Sequence, residues 1–268
     1  MTTQPVSTVC GFIGLGSQGA PIATRMMDAG YPVVLWARRA QTLEPFRDTR
    51  AILAPSIAAL GANADHVGIC VTDDRAVREV CGDLIPAMRS GSCLAIHSTT
   101  HPRTCREVAS QAALRNLVFV EAPVSGGAPA AAKGMLTVMA GGRADAVTLA
   151  RPIFETFANL IVHLGDVGTG QIAKLINNTL MAANLGMVHS AVSVGCELGM
   201  DSRTLLDLLN ASSGRSYASE VYARQSGLAA FANRETLLEK VRLLGAVIGE
   251  HEPAFAVLRK AASPLISK

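Results

Sequence analysis

The run CGFIGLGSQG, residues 10–19, sets Gly14, Gly16 and Gly19 between a short apolar stretch and a helical pattern. Few local patterns restrict a chain as strongly. A strand that turns on glycine directly into a helix belongs in a parallel sheet, with the helix packed on one face. The first glycine permits the tight turn, the second lets a ligand approach the backbone, and the third lets helix and strand pack closely. The helix N-terminus then aims its free N–H groups and positive dipole end over the loop. This context predicts a dinucleotide site in which Gly14, Leu15, Gly16, Ser17, Gln18 and Gly19 cradle a pyrophosphate.

The rest of the first half repeats the alternation. PVVLWA, HVGICVT, SCLAIHST, LVFVEAP and LTVMAGG read as strands, and DRAVREVCGDLI and TCREVASQAALR read as helices between them. Strands alternating with helical patterns predict βαβ units and a Rossmann-type, doubly wound parallel sheet. After LIVHLG only helical periodicity continues. The expected organisation is an NAD(P)-binding domain over residues 1–165 and an all-helical substrate and oligomerisation domain over 166–268.

The second strand normally ends in an acid that bonds the ribose hydroxyls of NAD. Here Ala37 stands in that place, followed by Arg38 and Arg39. A carboxylate would repel a 2′-phosphate, whereas a guanidinium can grip one through two hydrogen bonds. The two arginines predict NADP as cofactor, with NAD as a possible substitute.

Composition excludes several classes. The net charge is only +3 and no basic run is present, so nucleic acid is not an expected partner. The six cysteines show no metal-binding spacing, and the histidines are scattered, which predicts reduced thiols and no metal site. The N-terminal residues show no basic leader, so a cytoplasmic location is expected. Residues 175–196 carry no charge over a length that could cross a bilayer, but Asn177, Asn178, Asn184 and His189 would be costly in lipid. A buried helix, not a membrane span, is the expectation. Its small residues Ala182, Ala183, Gly186 and Ser190 suit close packing against another helix.

Three further stretches are specific: EAPVSGGAPAAAKGMLTVMAGG (121–142), GTGQIAKLINN (168–178) and SSGRSYA (212–218). Together with GFIGLGSQG they resemble the β-hydroxyacid dehydrogenases, which include 3-hydroxyisobutyrate dehydrogenase and tartronate semialdehyde reductase. The resemblance implies interconversion of a small 3-hydroxy acid and its semialdehyde by hydride transfer, and a homodimer or homotetramer. It implies Lys174 as the catalytic lysine, Asn178 as its helix partner, Thr99 beside the nicotinamide, and Ser125, Gly126, Gly127 and Lys240 around a carboxylated substrate. Gln18 and Glu121 replace the methionine and aspartate usual in that family.

Several of these positions make chemical sense alone. Ser125 with the N–H groups around Gly126 and Gly127 forms a turn rich in donors, suited to a carboxylate. Lys174 and Asn178 stand four residues apart on one helical face. A lysine held in an apolar cleft near a helix N-terminus has its charged form disfavoured and becomes a usable acid or base. Rival readings share the loop. A 6-phosphogluconate dehydrogenase would carry histidine where Asn177 stands. An NADPH-dependent imine reductase usually lacks the lysine, and a non-catalytic NADP-binding protein would need no turnover.

Overall fold

The computed structural model describes residues 8–225, 228, 231 and 234–266. The leader reading of residues 1–7 and the final Lys268 lie outside the described residues. The chain forms two compact units, one running to Lys174 and the other from Leu175.

The strands are β1 (Cys10–Ile13), β2 (Val33–Trp36), β3 (Ile52–Leu53), β4 (His66–Ile69), β5 (Cys93–Ile96), β6 (Val118–Glu121), β7 (Val124–Ser125), β8 (Leu136–Ala140) and β9 (Ala158–His163). Helices of the first unit are α1 (Gly19–Asp28), α2 (Ile57–Asn63), α3 (Asp74–Leu84), α4 (Pro102–Ala113), α5 (Gly127–Ala132) and α6 (Ala144–Phe154). The main sheet has the order β3-β2-β1-β4-β5-β6, with every pairing parallel. The order reverses between β1 and β4, which is the crevice where doubly wound sheets bind ligands. A smaller sheet, β7-β8-β9, joins β7 and β8 antiparallel and β8 and β9 parallel.

Both faces of the main sheet are covered, as a parallel sheet requires. One hydrophobic cluster gathers Phe12, Ile22, Met26, Phe154 and Phe157, and a second gathers Ile13, Leu60, Val77, Leu84 and Val108. Local chemistry sets the helix ends. Gly30, at φ +95°, donates to Met27 O while Tyr31 N donates to Met26 O, the paired reversal that closes α1. Ser56 and Asp73 cap α2 and α3 by accepting from Ala59 N and Ala76 N. The two-residue strands β3 and β7 are absent from the sequence reading because two residues carry no periodicity.

Helix α7 (Thr169–Glu197) begins in the first unit and continues into the second. The expected division at residue 165 falls in the turn just before it. Its first turn is tied to the strand ends of the first unit, as described below. The second unit is helical throughout its described residues, with α8 (Ser202–Ala211), α9 (Tyr217–Arg224), α10 (Arg234–Ile248) and α11 (Pro253–Ala261). Its core gathers Leu175, Leu185, Tyr222, Leu238 and Phe255.

By length and composition α7 could cross a membrane, yet Leu175, Ala182, Leu185 and Val192 are buried in the core of the second unit. Gly186 meets its own chain: a side chain there would stand 2.0 Å from Ala261 O. SSGRSYA is a helix junction, where Ser216 and Ser219 form a reciprocal cap, Arg215 pairs with Glu220, and Arg224 lies over the Tyr217 ring. Cys196 is exposed and the other thiols are buried or half-buried.

Candidate active site

Every candidate residue of the first unit lies on one edge, where the parallel strands end. The glycine loop follows β1, Arg38 and Arg39 follow β2, Thr99 follows β5, and Pro123 to Gly127 follow β6. The loop is built as its sequence predicts. A Cβ at Gly14, whose φ is +96°, would lie 2.2 Å from Cys70 O, and one at Gly19 would lie 1.9 Å from Gly14 O. Gly16 differs, since among the described residues nothing stands within 4 Å of its Cβ position. Leu15 is buried beneath the turn, while Ser17 is exposed. Gln18, the residue before α1, makes no capping bond through its side chain. Among the described residues the N–H groups of Gly16, Ser17 and Gln18 find no acceptor. An open concavity lined by free donors at a helix N-terminus is the chemistry a pyrophosphate needs. The residues fit a dinucleotide.

Arg38 and Arg39 are exposed. Among the described residues neither guanidinium forms an ion pair or hydrogen bond. They are free to meet an anion.

Ser125 is half-buried in β7 and pairs with Thr137. Gly126 takes φ +129° and Gly127 φ +71° before α5 begins, conformations that favour glycine. A side chain at Gly126 would also strike Ala130 Cβ at 2.6 Å.

Two residues to which sequence reasoning gave no site role, Glu121 and Gln171, fix α7 against this edge. Glu121, fully buried at the end of β6, accepts from Gly168 N at 2.7 Å and from Gly170 N at 2.8 Å through Oε1. These are orphan donors at a helix N-terminus, and a carboxylate satisfies them well. Burial nevertheless raises the Glu121 pKa, against the lowering effect of those two amides. Gly170 cannot be larger, since a Cβ would lie 2.3 Å from Met139 O. The second residue is Gln171, fully buried, which donates to Ser98 O and accepts from Thr100 N, both at 2.9 Å. The signal for Glu121 was an acid closing an apolar strand. Gln171 showed only as a polar residue in the first turn of the helix.

Lys174 follows three residues after Gln171 and is 8% exposed. Among the described residues it forms no ion pair. Burial alone lowers its pKa to about 8, so about a quarter of the lysine is neutral at pH 7.5. Asn178 lies one turn further along α7, and Asn177 Nδ2 approaches its Oδ1 at 3.5 Å. Lys240 is buried in α10 of the second unit with Glu239 Oε1 3.5 Å from its Nζ. His97 is core rather than site: its Nδ1 pairs with Ala122 O and its ring packs on Phe12, Phe154 and Phe157. Among the described residues no three His, Cys, Asp or Glu side chains gather to hold a metal.

A doubly wound sheet with this loop at its switch point defines a dinucleotide-binding protein. Comparison with known proteins narrows the class. Residues 9–165 match the NAD-binding domain of 6-phosphogluconate dehydrogenase, and residues 168–237 match the NAD-binding region of NADP-dependent 3-hydroxyisobutyrate dehydrogenase. The mitochondrial 3-hydroxyisobutyrate dehydrogenase of Mus musculus is 35% identical over 218 residues, 80% of this chain and 65% of that protein. The chain thus spans about two thirds of that relative's length. An NAD-dependent L-serine dehydrogenase of Pseudomonas aeruginosa is 34% identical over 79% of this chain and 72% of that protein. A solved Mycobacterium tuberculosis 3-hydroxyisobutyrate dehydrogenase with L-serine superposes with a TM-score of 0.85 at 26% identity, covering 97% of this chain and 93% of that one. The chain belongs to the β-hydroxyacid dehydrogenase family, and its first unit is an NAD(P)-binding domain.

Proposed function

We propose that the protein interconverts a small 3-hydroxy acid and its semialdehyde, prefers NADP(H), and uses Lys174 as its general acid and base. The observation that carries this reading is a buried lysine, free of ion pairs among the described residues, on a helix anchored to the ligand-binding edge of the sheet. When bound, the nicotinamide accepts or returns a hydride at the carbinol carbon. The protein's part is to hold the substrate and move one proton. In oxidation, neutral Lys174 Nζ takes the hydroxyl proton; in reduction, the ammonium gives a proton to the carbonyl oxygen. A pKa of about 8 keeps both forms populated near neutrality. Asn178 orients the lysine or bonds the substrate, and the donors of Ser125, Gly126 and Gly127 take the carboxylate. Lys240 is assigned to the same substrate.

Arg38 and Arg39 support the preference for NADP(H), because a free guanidinium pair after β2 attracts a 2′-phosphate where family members that bind NAD place an acid. The substrate class covers both hydroxyisobutyrate and L-serine, each a carboxylate with a hydroxyl at C3. A cytoplasmic homodimer or homotetramer with no nucleic-acid or membrane partner completes the reading.

The test is the change in nicotinamide absorbance over a panel of 3-hydroxy acids and semialdehydes. The parent and Lys174→Ala run with NADP(H) and NAD(H). Turnover on at least one compound, stronger with NADP(H) and lost in Lys174→Ala, is expected. NADPH binding without turnover on any compound overturns the proposed reaction.

A further inference from the structure

Gln171 brackets a single residue through both ends of its side-chain amide. Its amide nitrogen holds the carbonyl of Ser98 and its amide oxygen holds the N–H of Thr100, leaving Thr99 between the two bonds. Residues 98–100 lie outside any strand or helix, so their backbone groups have no ladder to join. Buried backbone groups of that kind need partners, and a primary amide offers one donor and one acceptor in the required geometry. Ser98 extends the bracing, since its Oγ accepts from Val71 N at 2.8 Å. The segments leaving β4 and β5 and the first turn of α7 are thereby fixed to one another. Thr99 itself stays half-exposed, with its side chain uncommitted among the described residues. On α7, residues 171, 174 and 178 repeat at the spacing of one helical face. One side chain therefore sets the distance between the loop carrying Thr99 and the turn carrying Lys174.

We infer that Gln171 is a positioning residue for proton transfer, holding the Thr99 loop and Lys174 in one rigid frame through its paired amide bonds to Ser98 and Thr100. This inference rests on the proposed reaction. Misplacement of a reacting group by about 1 Å can cost about 100-fold in rate, so removing the bracket should lower kcat while the glycine loop still binds cofactor.

Two variants test it in the reductive direction, where the ammonium form of Lys174 is the proton donor. Gln171→Met keeps the length and loses both bonds. Gln171→Glu carries a buried carboxyl: ionised, it repels Ser98 O, but protonated, its O–H donates to Ser98 O and its C=O accepts from Thr100 N. A negative charge near Lys174 favours the ammonium, so it cannot by itself explain a loss of reduction. For Gln171→Met the expected result is a kcat about 10- to 100-fold below the parent, with the NADPH Kd within about threefold. Gln171→Glu should match that loss at pH 8 and recover most of it at pH 6, a gain well beyond the about twofold rise that the Lys174 ammonium gives the parent between the two values. Hydrogen exchange on the cofactor-free chain supplies a readout independent of turnover: the Thr100 amide should exchange at least about tenfold faster in Gln171→Met. If Gln171→Met does not fold, Gln171→Glu at the two pH values carries the test. A kcat within twofold of the parent in the variants at pH 8, or unchanged exchange at Thr100, overturns the inference. A parent silent on the whole panel overturns the proposed reaction and the catalytic half of this inference, while the exchange result still decides whether Gln171 anchors the loop.

Discussion

Mild acid should destabilise the first unit, and the two histidines buried in it set how much. His66 on β4 and His97 just after β5 are each 2% exposed, and among the described residues neither Nε2 has a hydrogen-bond partner. Their surroundings are aromatic: His97 stacks on Phe12 at 6.0 Å, and Phe154 presents its edge to both rings. Burial, and then the nearness of His97, pushes the His66 pKa down to about 3 from an ordinary 6.5. Burial pushes His97 to about 4, against a small opposing effect of its bond to Ala122. Both folded values lie below the unfolded one, so the unfolded chain binds more protons. The stability is fully present above the unfolded value and falls as pH drops through 6.5 toward the folded values. At pH 5, about 1.5 units below 6.5, each histidine contributes a loss of about 2 kcal/mol, or about 4 kcal/mol together. That is a large share of the roughly 5–15 kcal/mol typical of a folded domain. Glu121 works in the opposite sense: its raised pKa means the folded state holds its proton more tightly, so it adds stability as pH falls through that range. The assay is urea unfolding at pH 7.5 and 5.0, followed by the fluorescence of Trp36, the single tryptophan, which sits in β2 and reports the first unit. Gln at both positions should abolish most of the pH dependence. A parent that loses less than about 1 kcal/mol, or a double variant with the parent's slope, refutes the reasoning.

Four further outcomes follow from the site. Gly16→Ala should leave the Trp36 unfolding midpoint nearly unchanged and weaken NADPH binding at least about tenfold in a fluorescence titration, because its Cβ enters open space that the pyrophosphate needs. Gly19→Ala should instead cost about 2 kcal/mol or more in the same unfolding assay, since its Cβ strikes Gly14 O. For oxidation, kcat/KM should rise with pH to a plateau above about 8 if the neutral lysine is the base as proposed, and a profile flat from pH 6 to 9 would remove Lys174 from that role. Replacing Arg38 and Arg39 with alanine should weaken NADPH by about 10- to 100-fold, the worth of one or two charge-assisted bonds, with NADH affinity unchanged in parallel titrations.

What the sequence discloses about such a site depends on how far apart the interacting groups lie along the chain. The glycine loop is legible because its constraints are local: Gly14 and Gly19 contact each other five residues apart, and Gly30 ends the same helix they begin. The four-residue strands of the main sheet are legible, whereas the two-residue strands β3 and β7 are not. Gln171 and Glu121 are illegible for a different reason. Gln171 finds its partners 71 and 73 residues upstream, and Glu121 finds its own 47 and 49 residues downstream. No periodicity or spacing within a segment encodes such pairings. The same remoteness explains why the division of the chain falls after Lys174 and not in a loop. The first turns of α7 are committed to the sheet by bonds from Glu121 and Gln171, and the rest of the helix packs with the residues that follow it. Lys174 stands at that change of allegiance, the last residue held by the rigid sheet edge. The proposed general acid and base thus inherits the order of the sheet for its backbone, while its desolvation keeps the ammonium easy to deprotonate. The position of the lysine is therefore a consequence of the two acceptors and one donor that Glu121 and Gln171 supply, and its reactivity a consequence of the burial that follows.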